Sequence, residues 1–434
     1  MERGAKAAAI PFAAAALLVG ASQTAHAGAF ALREQSTIGL GQAFAGAAAG
    51  GAGLGSMYWN PATMTQFMGL QVSADLAGIM PNSSITPTSG TSPILTGLGG
   101  SASTGDIVID AFLPSAYASY QINDKFWVGL AVNAPYGLIT KNPFNAPGQI
   151  YARTSEVRSY EFTPQAAWAV TDWLSVGAGV QALHFNTRLT QALSPLPNAA
   201  TGALEGDAWA FGATAGVTIK PFAGTEIGIG YRSTTSLDLE GSLSLGAPTG
   251  SLPAGSYGIA ATLNTPDMVS VGIRQTVTPD LVLSGAFEWY NWSRFGTIPV
   301  TGNGGITNGM TLTSLPFEYD DSYYASIGAE YRWNKDLTLR AGTSYEWSPI
   351  STRNRDLRLP DSDRISLAVG GGYQITESLK LDLAYMHIFA VGDGDVELTP
   401  GNPHYVTGLA YTGKVDSHVD IVSASVSWKF DGFK

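Results

Sequence analysis

The chain has 434 residues, of which 45% are apolar and only 13% charged, with a net charge of -11. Charge at about half the roughly 25% typical of soluble domains sets it apart from an ordinary globular protein. The complete lack of cysteine excludes a disulfide framework and thiolate chemistry, and the acidic balance argues against a nucleic-acid partner.

Residues 1–27 read as a secretory signal. Arg3 and Lys6 open it, Ile10 to Ala21 is an apolar run, and Ala25-His26-Ala27 is a small-residue cleavage pattern. The run is shorter than the roughly 20 residues a membrane anchor needs, which is the alternative reading. Cleavage would leave Gly28 first and the mature net charge at -12, because Glu2 leaves together with Arg3 and Lys6.

Residues 28–67 are not strand-like. Their Gly/Ala runs and the Trp59-Asn60-Pro61-Ala62 turn predict compact, irregular or short helical structure. The stretch Ala43 to Trp59 comes nearest to a spanning helix, but its glycines make it a poor one. An exported, low-charge, aromatic-rich chain without spanning helices satisfies its backbone in lipid only by closing a sheet. Irregular backbone survives there only when protein encloses it, so 28–67 is expected to plug a barrel. The alternative is a flexible periplasmic leader.

Residues 68–434 carry the barrel signal. Short polar turns recur at Ile122-Asn123-Asp124-Lys125, Val170-Thr171-Asp172-Trp173, Lys220 to Gly224, Val277-Thr278-Pro279-Asp280, Trp333-Asn334-Lys335-Asp336 and Ile375-Thr376-Glu377-Ser378. Six such turns join seven hairpins. The fold class is therefore all-β: a 14-stranded antiparallel transmembrane β-barrel with an N-terminal plug, its short turns on the periplasmic rim. Longer Gly, Ser, Thr and Pro stretches near Asn82 to Gly105, Thr190 to Glu205, Gly241 to Gly255, Gly296 to Pro316 and Thr399 to Thr407 are expected as outer loops.

Within the strands, Phe126, Val128, Leu130 and Val132 alternate with Trp127, Gly129, Ala131 and Asn133, and Leu337, Leu339 and Ala341 with Thr338, Arg340 and Gly342. Leu379, Leu381, Leu383 and Tyr385 alternate with Lys380, Asp382 and Ala384. A period of two puts the charges on one face, here the inner one. The C-terminal strand does the same, with Val422, Ala424, Val426, Trp428 and Phe430 against Ser423, Ser425, Ser427 and Lys429. Its closing aromatic pair suits the headgroup level.

Catalysis has little to rest on. The histidines (His26, His184, His387, His404, His418) form no HExxH pair, and no GxSxG or P-loop occurs. Asp416, Ser417 and His418 are neighbours on a strand and so cannot converge on one face. No cofactor is expected, nor any metal site, for want of ligand clusters.

The order and spacing of several segments resemble the FadL family of outer-membrane transport proteins for hydrophobic compounds. Gly28-Ala29-Phe30 through Gly46 is similar to its mature start, and Asn60-Pro61-Ala62 to its NPA motif. Leu263 to Met268, Pro360-Asp361-Ser362-Asp363-Arg364 and Ala384-Tyr385-Met386-His387 match further family segments. The resemblance implies passive uptake in the outer membrane of a Gram-negative bacterium. Ligand is caught among outer loops, held in a pocket above the plug and released sideways through a kinked third strand. Here that strand contains Ala134-Pro135-Tyr136-Gly137, and a proline inside a strand removes a ladder donor; the plainer alternative is that Pro135 ends the strand. By the resemblance Asn60, Pro61 and Ala62 face the kink, and Phe30, Arg188, Gln191, Asp320 and Asp321 belong to the ligand site. Where fatty-acid-handling members carry basic residues, this sequence aligns Gln191 and Asp320. An acidic pair there would repel a carboxylate, which brings neutral hydrocarbons or aromatics, as in the TodX-like branch, into contention beside long-chain fatty acids. The implied partners are the lipid bilayer, a hydrophobic small molecule and, through the C-terminal strand, the barrel-assembly machinery. The rival reading is a general diffusion porin, which normally lacks such a plug. An energy-coupled receptor would carry a far longer one.

Overall fold

The computed structural model describes residues 28–97, 103–392 and 394–430. The expected signal segment, 1–27, lies outside them. The strands are β1 (Leu70–Pro87), β2 (Ala111–Gln121), β3 (Phe126–Asn133), β4 (Gly137–Lys141), β5 (Thr154–Ala169), β6 (Leu174–Ala192) and β7 (Thr201–Phe222). There follow β8 (Thr225–Arg232), β9 (Ser236–Leu245), β10 (Gly255–Asn264), β11 (Met268–Thr278), β12 (Leu281–Tyr290), β13 (Thr297–Gly302) and β14 (Thr311–Pro316). The last are β15 (Ser322–Arg332), β16 (Leu337–Trp347), β17 (Arg364–Gln374), β18 (Leu379–Ala390), β19 (Val396–Leu398) and β20 (Tyr411–Phe430).

Fourteen of them form one closed antiparallel ring. Its order is β1, β2, β3, β5, β6, β7, β8, β11, β12, β15, β16, β17, β18 and β20, and β20 pairs back onto β1. All six predicted turns fall between consecutive ring strands. In five of them the second residue's side-chain oxygen accepts main-chain N–H groups two or three residues on: Asn123, Thr171, Thr278, Asn334 and Thr376. That local bond fixes the turn without help from the rest of the fold. The sixth relies on Gly224, whose φ of +82° few other residues adopt.

Polarity across the wall is inverted relative to a soluble protein. On β20, Val422 and Trp428 are 51% and 46% exposed while Ser423 and Ser425 are buried. On β16 and β18 the charged Arg340, Glu346 and Asp382 point inward and are buried. The apolar solvent is therefore outside, as in a lipid-spanning barrel. Aromatic rings gather near the short turns, with Phe126 stacked on Trp168 and Trp428 on Phe430. A second group, Tyr323, Tyr345 and Trp347, sits near the opposite end.

The outer side departs from the expected loops. β1 runs on to Pro87, well past Asn82, and β9, β10, β13 and β14 form a ribbon built outward from the upper half of β7. Gly296 to Pro316 is thus mostly strand, and Gly241 to Gly255 begins and ends in strand around a turn. Leu237 and Leu239 of β9 are buried, so the ribbon turns its apolar side to the protein interior. A second apolar cluster, with Ile85, Ile107, Leu357, Leu398 and Tyr411, knits the remaining outer segments together.

Residues 28–67 lie inside the ring. The short helix Thr37–Leu40 packs on β17, β18 and β20; the 3-10 turn Ala47–Ala49 on β8 and β11; and Pro61–Gln66 on β3, β5, β6 and β7. Contacts with every side of a closed ring place the segment in its interior. Wall glycines make room for it. A Cβ at Gly230 would fall 1.8 Å from the Trp59 carbonyl oxygen, and one at Gly228 1.8 Å from that of Ala48.

Candidate functional site

The ring is interrupted at one place, where β3 gives way to β4. Asn133 pairs with Glu161 of β5 and Gly137 with Arg158. Three residues (Ala134, Pro135, Tyr136) therefore stand opposite two (Ser159, Tyr160), a one-residue bulge that bends the strand. Pro135 has no N–H to donate. The free main-chain groups of Tyr136 are taken by the Ser159 hydroxyl, which donates to its carbonyl and accepts from its N–H, both at 2.8 Å. Beyond the bulge β4 stays on β5, whereas β2 pairs with β3 only from Ala116 to Gln121. The stretch Ala111 to Ser115 of β2 has no strand on that side, and within it Pro114 lacks an N–H too.

The interior segment patches the gap from within. Leu32 N donates to Pro135 O at 2.8 Å and Gly137 N to Phe30 O at 2.9 Å. The buried Gln35 side chain spans the two edges: its Nε2 donates to Ala134 O, and its Oε1 accepts from Ser115 Oγ and Asn133 Nδ2.

A cavity of about 550 Å³ occupies the gap. Its lining includes Leu76, Phe112 and Tyr160, which are 49%, 78% and 53% exposed on the outer face, together with the inward-facing Ile388, Val419 and Ile421. It therefore passes from the barrel interior to the lipid-facing surface. Glu34 and Arg364 are the charged residues at its inner end, and Asp110 and Arg158 stand toward the outside.

Above it lies a 70 Å³ apolar pocket lined by Phe30, Phe185, Leu239, Leu263, Ile298 and Phe317, with Arg358 and Asp356 as its charged residues. Leu138, Val157 and Leu359 line both spaces. Phe30 closes the pocket within an aromatic cluster, its ring 4.9 Å from Trp292, 5.3 Å from Phe295 and 5.9 Å from Tyr136. Among the described residues the Arg358 guanidinium donates only to neutral acceptors, Gln191 Oε1 at 2.6 Å and Thr190 O at 3.4 Å. Burial pulls its pKa below the usual arginine value, against the opposing field of Asp356.

Next to both spaces is a buried charge cluster. Arg33 pairs with Glu288 at 3.1 Å and Glu346 at 3.0 Å, and stacks on the Tyr324 ring. Asp361 accepts from Arg364 Nη2 at 3.2 Å, Ser348 Oγ at 2.6 Å and the main-chain N–H of Ala29 at 3.2 Å. Burial nevertheless raises its carboxyl to about 7.

Of the residues singled out from sequence, the structure brings Ala134, Tyr136 and Gly137 to the wall cavity, with Pro135 in the bulge, and Phe30 to the pocket. Gln191 reaches the pocket through Arg358. The others stand elsewhere. Arg188 lies on the outward face, paired with Glu205 at 2.5 Å, both half exposed, because Leu183, Phe185 and Thr187 take the inward positions of β6. Asp320 is exposed, and Asp321 accepts from Trp289 Nε1 and Ser293 N; neither lines the pocket or the cavity. Asn60-Pro61-Ala62 does not face the bulge. Asn60 Nδ2 donates to Ala48 O and Val217 O, and its Oδ1 accepts from Ala62 N to cap the next turn. Sequence reasoning missed Glu34, Gln35, Pro114 and Arg358. Arg358 left a trace, since Arg353, Arg355, Arg358 and Arg364 crowd twelve residues of an otherwise charge-poor chain.

A family model described as outer membrane protein transport protein (OMPP1/FadL/TodX) matches residues 18–430. The chain is 28% identical over 404 residues to a long-chain fatty acid transport protein of Escherichia coli O6:H1, covering 84% of this chain and 88% of that one. It is also 28% identical to outer membrane protein P1 of Haemophilus influenzae, covering 84% and 86%. Among solved structures, a Pseudomonas aeruginosa FadL homologue superposes with a TM-score of 0.82 at 23% identity, over 93% of this chain and all of that one. The Ralstonia pickettii toluene transporter TbuX gives 0.66 at 20% identity, over 91% and 98%.

Proposed function

The chain belongs to the outer membrane protein transport family (OMPP1/FadL/TodX), and we propose that it is a passive channel that takes hydrophobic compounds from outside the cell and releases them sideways into the membrane. The observation that carries this reading is the cavity at the interrupted seam, which joins the interior to the lipid face through apolar side chains. An apolar ligand leaving by that route never crosses water. The interior segment would act as the plug and, with Phe30 between pocket and cavity, as the element that moves.

Arg358 favours a ligand with a carboxylate head. A guanidinium in an apolar pocket, served among the described residues only by neutral acceptors, gains most from a charged, bidentate partner. Asp320 and Asp321 stand away from the pocket, which removes the electrostatic argument for a neutral ligand. The description of the E. coli relative as a fatty acid transport protein points the same way. A general porin is disfavoured by the filled interior. We assign assembly contacts to the C-terminal strand ending in Trp428 and Phe430.

The test pairs two measurements on the purified full chain and on cells that lack their own such channel. In planar bilayers the protein should be nearly silent, and in cells it should speed uptake of radiolabelled oleate. Large steady ion currents without oleate uptake would instead identify a porin.

A further inference from the structure

The cavity through the wall is largely apolar, with Asp110 and Arg158 toward its outer mouth and Glu34 and Arg364 at its inner end, and of these groups the Glu34 carboxyl stands out. Glu34 lines it from a main chain pinned on one side by Arg33, with its two carboxylate partners, and on the other by the buried Gln35. Among the described residues no side chain donates a hydrogen bond to Glu34 and no cation lies within ion-pair distance. Arg33 is paired with Glu288 and Glu346, and Arg364 with Asp361 at 3.2 Å and Glu346 at 3.9 Å, its Nε being left without a partner among the described residues. The influences on Glu34 are mixed: its own main-chain N–H, Arg33 and Arg364 favour its ionised form and Glu346 opposes it. Burial outweighs them and raises its pKa above the ordinary glutamate value.

A carboxylate that reached this point from the pocket would face a passage into hydrocarbon, where an unpaired charge is prohibitively costly. It can enter only as the neutral acid. Resting on the sideways-release reading above, we infer that Glu34 is the proton donor that discharges carboxylate ligands as they pass from the pocket into the wall cavity. The Glu34 O–H bond breaks as an O–H bond forms on the ligand carboxylate. Glu34 is left ionised, the neutral acid moves on between β2 and β4, and the carboxyl recovers its proton from solvent water acidified by buffer. Arg358 holds the head group; Glu34 releases it. The residue thus sets specificity between carboxylate and neutral ligands of equal length.

The experiment compares uptake of oleate and of oleyl alcohol, which share a chain and differ in the head, by cells carrying the full-length wild type, Glu34→Gln or Glu34→Asp. Folding is checked by heat-modifiable gel migration. The ratio of oleate to oleyl alcohol uptake should fall about tenfold or more in Glu34→Gln and recover in part in Glu34→Asp. In the wild type oleate uptake should slow as pH rises through the range in which Glu34 loses its proton, and Glu34→Gln should flatten that part of the dependence. Oleate affinity of purified Glu34→Gln should stay within about twofold of wild type, since Arg358 is intact. An unchanged uptake ratio, or an equal loss for both probes, would overturn the assignment by making Glu34 irrelevant or merely structural. Failure of the wild type to take up either probe would overturn the channel reading itself and this inference with it.

Discussion

Two seams of the same barrel behave in opposite ways. Where β20 closes onto β1, pairing runs unbroken from Leu70 with Phe430 to Pro87 with Gly413. Where β2 meets β3, it stops after Ala116 with Val132. Both seams present apolar residues to the outside, Val422 and Val426 at one and Val128 and Leu130 at the other. The difference lies at the one surplus residue of Ala134-Pro135-Tyr136, with Pro135 and Pro114 on the two edges of the gap, whereas Pro81 of β1 sits within unbroken pairing. A lipid-embedded wall does not leave the backbone groups of such a gap bare. The interior segment supplies the missing partners at Leu32, Phe30 and Gln35. The closing seam is held by the sheet alone, whereas the open seam is held by the interior segment.

Removing that segment is the strongest way to break the comparison. Deletion of Gly28 to Thr65 should leave a folded, heat-modifiable barrel, because the ring pairs without it, but one that conducts ions freely in planar bilayers. Loss of the folded band would show that the segment supports the whole wall. Next in size is Arg358→Ala, which should weaken oleate binding by about tenfold or more, a loss of about 1.4 kcal/mol, while a neutral ligand of the same length loses little. Equal losses for both ligands, measured by tryptophan fluorescence titration, would mean that Arg358 only shapes the pocket.

A smaller effect should come from pH. The Asp361 carboxyl, raised to about 7 in the folded protein, lies above its unfolded value of roughly 3.9. Its contribution is therefore fully present below that unfolded value and is lost as pH rises through about 7. Ionised, it adds negative charge to a cluster where Glu288 and Glu346 already face Arg33 and Arg364. Hydrogen exchange of Ala29 to Arg33, corrected for its intrinsic pH dependence, should speed up several-fold between pH 6 and pH 8. Asp361→Asn should remove the change. The least effect is expected from Asp320→Lys and Arg188→Ala, each altering oleate affinity by less than about twofold, because both residues stand away from the pocket.

The wall was legible because its signals are local. A period of two fixes each face, and Asn123, Thr171, Thr278, Asn334 and Thr376 fold their own turns. The ribbon was not, although Leu237 and Leu239 alternate with Asp238 and Glu240. Alternation identifies a strand without saying whether its apolar face meets lipid or protein, and here it meets the pocket. The surplus residue at Ala134 was readable as a break, but its count needed the partner strand. Arg188 illustrates the opposite case. Its parity with His184 and Asn186, against inward Phe185 and Thr187, already put it outside. Glu34 and Arg358 gave no periodic signal at all, since irregular segments carry them and only tertiary packing decides what such residues touch.

Repairing the open seam is the most direct trial of sideways release. Deletion of Ala134 combined with Pro135→Val leaves two residues opposite two between Asn133 and Gly137, and returns a donor to the strand, so the wall should pair continuously. Oleate uptake by cells carrying this variant should fall at least about tenfold, while oleate binding to the purified protein stays within about twofold of wild type. Wild-type uptake through a repaired wall would contradict the account and direct the ligand to the periplasmic end of the barrel.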